Sequence, residues 1–532
     1  MEFVSDPPIS VKIRKMKERV RWQEPSLVKR GIDQTRMAIA DDAADNPEFS
    51  FLVVGDSGSG AHGGGNPQRR VAKLLLQHGE DCRFVLHTGD VIYLVGSSEY
   101  YLQNFIQPYQ EFLVGGENPK GMKSDRITFK LPFLPVPGNH DYYDLPIVYG
   151  VLVQASWPLR RLLQSKIDLD VGWHGSFQGR AYSKAFLDYL VAFNEADLNR
   201  HLDRHYTAST DTGRCLLYEP GRFTKLPNRY YTFRYGGIDF FALDSNTFNA
   251  PAPLPDTKEG ENHRRELQKQ KQELERQKLE ILEASAKLNP ELPEEAEQID
   301  DLRAKLEQID EVTIDIEKQL VADSKTTTDF EQLEWLRQRL IESWNTKEVR
   351  GRVVYFHHPP YVTEATKWHQ AQTLAVRYRL RWVLDRVAQE VENLAKDRPI
   401  VDLFLSGHAH CLEYLRTGDT GSADSHLNWI VCGGSGHSLR RQRTEGPQLT
   451  ETFRDGEMQG VTNVADSLLF VGRNGLGKHR RRPYSGLRID VFDGCPPKFI
   501  VRPLVSELSR GKWSDRVLDP FTILNQSANP IH

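Results

Sequence analysis

The sequence predicts an α/β protein: a buried, largely parallel sheet, a second sheet packed on it, and a long helical hairpin interrupting the pattern. Two observations carry that expectation. Short apolar runs repeatedly end in small and metal-capable polar residues, and segments of helical period lie between several of them. Apolar strands that run continuously rather than alternating are buried on both faces, as in parallel sheet covered by helices. A third observation marks the interruption. Between Gly260 and Gly351 there is no other glycine, and between Phe248 and Phe330 no other Phe, Tyr or Trp.

Taken in order, residues 1–48 read as a polar N-terminal extension, rich in Lys and Arg and packed loosely on the body. Phe51 to Val54 then runs into Gly55-Asp56-Ser57-Gly58, and Val71, Leu74 and Leu75 follow at helical spacing. Phe84 to Leu86 runs into His87-Thr88-Gly89-Asp90, and Phe133 to Val136 into Pro137-Gly138-Asn139-His140-Asp141. Residues 144–227, rich in Trp, Tyr and Arg, read as a lid or extra helices. Ile238 to Leu243 ends at Asp244-Ser245-Asn246, Val353 to Phe356 at His357-His358-Pro359-Pro360, and Leu403 to Leu405 at Ser406-Gly407-His408-Ala409-His410. Between the last two, Val376, Leu380, Val383, Leu384, Val387, Val391 and Leu394 keep one helical face. Loops at the carboxyl ends of such strands line the crevice of an open α/β sheet, so these ends are expected to converge on one site. Trp429 to Cys432 and Leu487 to Phe492 read as antiparallel or edge strands, and residues 437–485 as a long surface loop.

The interrupting segment has its own period. Leu267, Leu274, Ile281 and Leu288 recur every seven residues. After the proline-marked turn at Asn289-Pro290 come Ile299, Leu302, Leu306, Ile309, Ile316 and Leu320 at nearly a/d spacing. This reads as an antiparallel hairpin over 258–322, projecting from the body and offering a surface for self-association or a protein partner. Thr328-Asp329-Phe330-Glu331 is a capping box that opens the next helix, whose face is Leu333, Leu336, Leu340 and Trp344. The expected division is an extension (1–48), a discontinuous domain (49–257 and 323–505), the hairpin, and a C-terminal tail (506–532).

Composition bounds the chemistry. With 69 basic and 73 acidic residues the formal net charge is −4, so no global basic field holds a nucleic-acid scaffold. Five cysteines without CxxC spacing argue against both a disulfide framework and a thiolate zinc site. No apolar run is long enough to span a bilayer, and the N-terminus lacks the apolar stretch of a secretory leader, which makes the cytoplasm the expected compartment. Aspartate, asparagine and histidine without thiolates suit Fe, Mn or Zn, and two such ions a few ångströms apart form the clamp used for displacement at phosphorus.

GDSG (55–58), GDVIY (89–93), GNHD (138–141), HHPP (357–360) and GHAH (407–410), in that order and each at a strand end, resemble the calcineurin-like metallophosphoesterases. Within that superfamily the chain looks most like the purple acid phosphatase type. Many relatives have D-x-H in the first motif, whereas this chain has Gly58, and Tyr93 stands where the purple enzymes place a tyrosinate ligand. The resemblance implies a four-layer α/β/β/α sandwich and two metal ions. Asp56, Asp90, Tyr93 and His410 would hold the first, expected to be iron because phenolate is a hard donor. Asp90 as bridge, Asn139, His357 and His408 would hold the second, as Fe, Mn or Zn. His140 would contact the phosphoryl group and protonate the leaving alkoxide, with Asp141 orienting its ring. His357 is taken as the ligand because it opens the H-x-P triplet, with alternation turning His358 to the other face.

The implied activity is hydrolysis of phosphate esters by a metal-bound hydroxide. A phosphomonoesterase on phosphorylated small molecules or proteins is the first expectation. The alternatives are a phosphodiesterase on nucleotide or lipid head-group substrates and a non-catalytic scaffold working through the hairpin.

Overall fold

The structure is a computed structural model and describes residues 4–61, 65–144, 177–289, 292–396, 398–455, 458–476 and 479–523. Two sheets face each other. The smaller runs, edge to edge, through Lys512–Val517, Lys498–Ser509, Arg481–Phe492, Phe49–Val54, Cys82–His87 and Phe133–Pro135. Its last three strands are parallel, which points the carboxyl ends of Val54, His87 and Pro135 the same way. The larger sheet holds at its centre the parallel strands Ile238–Ala242, Gly351–Tyr355, Leu403–Ser406 and Asn428–Cys432.

Alternation of side chains explains why those central strands read as unbroken apolar runs. Phe240, Val353, Tyr355, Leu403 and Leu405 point into the core between the sheets. Their neighbours Phe241, Val354, Phe356 and Phe404 point the other way, against Leu336, Leu340, Val376 and Val383 of the helices Phe330–Asn345 and Ala371–Ala395. On the far side, helix Pro67–His78 packs Val71 and Leu75 against the smaller sheet. The layers therefore run helix, sheet, sheet, helix. Burying both faces of each central strand leaves the strand ends as the place where polar groups collect.

Several expectations from sequence change here. Residues 4–48 are not a loose extension: Met16 and Val20 are fully buried, and Ile32–Ile39 is a strand of the larger sheet, parallel to Gly213–Tyr218. The described part of the C-terminal tail is likewise integral, since Lys498–Ser509 and Lys512–Val517 pair along the smaller sheet. The segment 437–485 is not mainly loop. Gln448–Asp455 and Met458–Val471 form an antiparallel ribbon extending the larger sheet. Most of this ribbon is polar, and its one apolar run, Leu468 to Val471, comes only at its end. Of the expected lid, residues 145–176 lie outside the described residues; the remainder contributes short helices and the strand Gly213–Tyr218.

The 258–322 stretch forms two helices of 29 residues each, Lys258–Ala286 and Pro293–Val321. They run antiparallel: Lys271 pairs with Glu317 at 2.5 Å, and Lys278 with Asp310 at 2.5 Å. The pair does not project. The second helix lies across the body, where Asp315 accepts from the Ala371 and Gln372 amides and Lys318 pairs with Asp6 at 2.7 Å. The residues by which it meets the body include the charged Glu311, Asp315 and Lys318.

Candidate metal centre

Asp56 and Asp90 follow parallel neighbouring strands of the smaller sheet, and His357, His408 and His410 follow parallel strands of the larger one. The two edges abut, which brings side chains some 350 positions apart in sequence into contact: the His408 amide donates to Asp56 Oδ2 at 2.8 Å. The loops turn sharply to do so. Asp56, Asp90, His408 and His410 all take positive φ, 53°, 55°, 67° and 44°. A non-glycine residue there costs about 1–3 kcal/mol, and such strain concentrates at functional sites.

The Tyr93 hydroxyl sits 3.0 Å from Asp56 Oδ1, 2.8 Å from Asp90 Oδ2 and 3.1 Å from His410 Nε2. One hydroxyl proton faces three acceptors, a surplus of lone pairs that a cation would satisfy. Donors bound at about 2.1 Å in octahedral array lie about 3 Å apart, so the spacing fits a metal ion. His410 Nδ1 donates to the Ser438 carbonyl at 3.0 Å, leaving Nε2 as the ligating atom. The Gly58 position admits no imidazole, because a Cβ there would meet the Val91 carbonyl oxygen at 2.1 Å.

A second donor set shares Asp90. Its Oδ2 lies 3.3 Å from His357 Nε2, which is also 2.9 Å from Asn139 Oδ1. His357 Nδ1 donates to the Thr88 carbonyl at 2.8 Å, fixing Nε2 toward that group. Asp90 Oδ1 accepts the His140 amide at 2.9 Å. Close approach is again built in: a Cβ on Gly138 would meet Asp90 Oδ1 at 2.1 Å. The His408 ring lies 5.0 Å from that of His357, and its Nε2 meets the Lys367 ammonium at 3.0 Å. Asp56, Asp90 and His410, and separately His357, His358 and His408, are the clusters able to hold an ion among the described residues.

Electrostatics follow from burial at close quarters. Burial and the neighbouring Asp90 push the Asp56 carboxyl well above its usual range. Burial would raise Asp90 too, but His357 and His140 outweigh it and hold that carboxylate low. Burial and the two aspartates push the Tyr93 phenol up. Although burial opposes it, Asp90 raises His357 to about 9.

Three expected details are corrected. His358 is not on a separate face, because the strand ends at Tyr355 before alternation reaches it; its ring lies 4.5 Å from that of His408. Both its nitrogens are engaged by protein, Nδ1 with Ser245 Oγ at 2.8 Å and Nε2 with Asn249 at 3.3 Å. Asp141 does not orient His140. As the third residue of the short helix Asn139–Tyr142 it reaches back to accept from the Gly138 amide at 2.8 Å, while His140 Nδ1 donates to the Leu94 carbonyl at 2.5 Å. Asp244, at a sixth strand end, is a brace rather than a ligand. It accepts from Tyr142 at 2.7 Å and from buried Arg229 at 3.1 Å, which also pairs with Asp329.

Sequence reading missed Lys367, His437 and Arg440. The His437 ring stacks on Tyr93, centroids 3.8 Å apart and 6° from parallel, and Arg440 is buried beside it. For His437 alone a signal was present: Gly433-Gly434-Ser435-Gly436-His437 is the carboxyl-end loop of Asn428–Cys432, which pairs parallel with Leu403–Ser406 on one side, where an antiparallel or edge strand was expected.

Residues 49–277 match the profile of the calcineurin-like phosphoesterase family. No curated protein matches the chain. Among solved structures, GAP50, the anchor in the inner membrane complex of Plasmodium, is 12% identical with a TM-score of 0.37, over 91% of this chain and 90% of that one. A structure of PhoD is 11% identical with a TM-score of 0.38, over 91% of this chain and 71% of that one. The matched stretch contains Asp56, Asp90 and Asn139, whereas His357, His408 and His410 lie beyond it and join them through the fold.

Proposed function

We propose that this protein is a phosphomonoesterase of the purple acid phosphatase type. The reading is carried by one oxygen: Asp90 Oδ2 faces the Tyr93 hydroxyl at 2.8 Å on one side and His357 Nε2 at 3.3 Å on the other. Asp56, Asp90, Tyr93 and His410 would hold one ion, iron by the phenolate's preference, and Asp90, Asn139, His357 and His408 a second ion, Fe, Mn or Zn. Two bound cations supply Lewis acidity and a nucleophilic water at neutral pH.

The chain's own groups do the rest. The Leu94 carbonyl fixes the His140 tautomer with hydrogen on Nδ1, which leaves Nε2 to exchange a proton with the leaving oxygen. Burial lowers His140 below the usual imidazole range, with Asp90 pulling the other way. Proton donation by this group therefore favours an acid optimum and fades as pH rises. Tyr93 packs on the His140 ring at 4.3 Å and limits its rotation. Among the described residues no helix is long and apolar enough to cross a membrane.

Hydrolysis of p-nitrophenyl phosphate and bis(p-nitrophenyl) phosphate by the metal-loaded chain tests the reading. The monoester should be the better substrate, and His140→Ala should lower its kcat by about 10²–10⁴ without lowering metal content. A preference for the diester would move the assignment to a phosphodiesterase, and inertness of the metal-loaded protein towards both would leave a binding scaffold.

A further inference from the structure

Two cations stand at the metal centre outside the donor set. Lys367 and Arg440 are 1% and 2% exposed. Lys367 Nζ lies 3.0 Å from His408 Nε2, and the Arg440 amide donates to the His410 carbonyl at 3.0 Å, so the first touches a candidate ligand's ring and the second a candidate ligand's backbone. Burying a charge so deeply is costly unless an anion accompanies it.

The anion that accompanies them comes from the second hairpin helix. Glu311 Oε2 meets Lys367 Nζ at 2.6 Å, and Glu311 Oε1 meets Arg440 Nη2 at 3.0 Å. One turn earlier, Glu307 pairs with His437 at 3.3 Å and Arg440 at 3.6 Å. Glu364 is close to both cations, but its Oε2 accepts from the Thr366 amide and hydroxyl at 2.9 and 2.8 Å and its Oε1 from Gln308 at 3.4 Å, and burial pushes its carboxyl up. A carboxylate that gives one oxygen to a lysine and the other to an arginine, beside His140, offers the same charge-assisted acceptors as two phosphoryl oxygens.

The helix that brings Glu311 is latched by charge. Asp301 pairs with Arg473 and Arg480, Glu307 and Glu311 with the groups above, and Lys318 with Asp6. Its buried Ile309 and Ile316 belong to neither of the two main apolar cores of the body. A contact made mainly of ion pairs is replaceable by a competing anion in a way that an apolar contact is not. A cavity of about 590 Å³, lined by Tyr93, His437, Glu307 and Arg303, already opens between this helix and the centre.

We propose that Lys367 and Arg440 form a subsite for the phosphoryl oxygens of the substrate, and that Glu311 occupies this subsite as an internal stand-in when the hairpin is closed. The proposal rests on the phosphoesterase reading and goes beyond it: substrate and hairpin compete for the same two cations.

Reciprocity gives the test its sign, because a ligand that displaces Glu311 must loosen the helix carrying it. In the manganese-loaded full chain, inorganic phosphate should speed hydrogen exchange across 301–318, whereas an ordinary ligand slows exchange around its site. By calorimetry, Glu311→Gln, a near-isosteric change, should bind phosphate at least tenfold more tightly than wild type. Adding Lys367→Met to that variant should cancel the gain. Phosphate affinity within twofold of wild type in Glu311→Gln, or exchange of 301–318 unchanged or slowed by phosphate, overturns the subsite while ester hydrolysis still stands. No phosphate affinity in any metal-loaded form removes the subsite together with the phosphoesterase reading.

Discussion

Asn139 Oδ1 and His357 Nε2 face each other at 2.9 Å, with the Thr88 carbonyl holding the only other ring nitrogen of His357. Two lone pairs at that distance need a cation between them. In the metal-free chain the cation is a proton, and Asp90 raises His357 to about 9 to keep it there.

Metal uptake must therefore release protons. His357 has to lose its proton, and Asp56 and Tyr93, both pushed up by burial, have to lose theirs. Affinity should rise with pH, and more than one proton should leave per chain on saturation. Calorimetry in buffers of different ionisation enthalpy counts them; a count of zero contradicts the donor set.

Tyr93→Phe removes one donor and keeps the ring that packs on His140 and His437. With iron bound, the wild-type chain should show a phenolate-to-ferric absorption in the visible, and the variant should lose it. Retention of the colour would move the phenolate elsewhere.

His87 predicts the acid behaviour of the fold. Its Nδ1 accepts the Gly89 amide at 3.2 Å and its Nε2 meets Ser57 Oγ at 2.9 Å, an arrangement that only the neutral ring satisfies. Burial lowers its pKa from 6.5 to about 3. The unfolded chain takes up a proton below pH about 6.5 that the folded chain refuses, so stability is lost as pH falls from about 6.5 towards 3. The loss from this one group is on the order of 4–5 kcal/mol. Urea unfolding of the metal-free protein between pH 7 and 4 should show it, with a shallower slope in His87→Gln.

The legible and illegible parts of the sequence divide on physical lines. That Asp56, Asp90, Asn139, His357, His408 and His410 stand at converging strand ends was readable because each follows a buried strand whose apolar run stands out. Tyr93 was singled out only through the resemblance, which paired it with Gly58; the steric reason for that glycine, the Val91 carbonyl, is visible in the structure alone. Lys367 and Arg440 were not, because they lie beyond the strand-end loops and are held by Glu311 and Glu307, partners on a distant helix. The same cause hid the placement of the hairpin. Nothing local in Asp301, Glu307, Glu311 and Asp315 reveals that a charged face meets arginines, a lysine and helix amides. Strand Ile32–Ile39 escaped because its pairing partner, Gly213–Tyr218, is remote.

The shared aspartate oxygen is tested most directly by metal stoichiometry. Wild-type protein should carry two ions per chain by elemental analysis, and Asp90→Ala should carry neither tightly, because one carboxylate serves both donor sets. Two ions retained in Asp90→Ala would contradict the account.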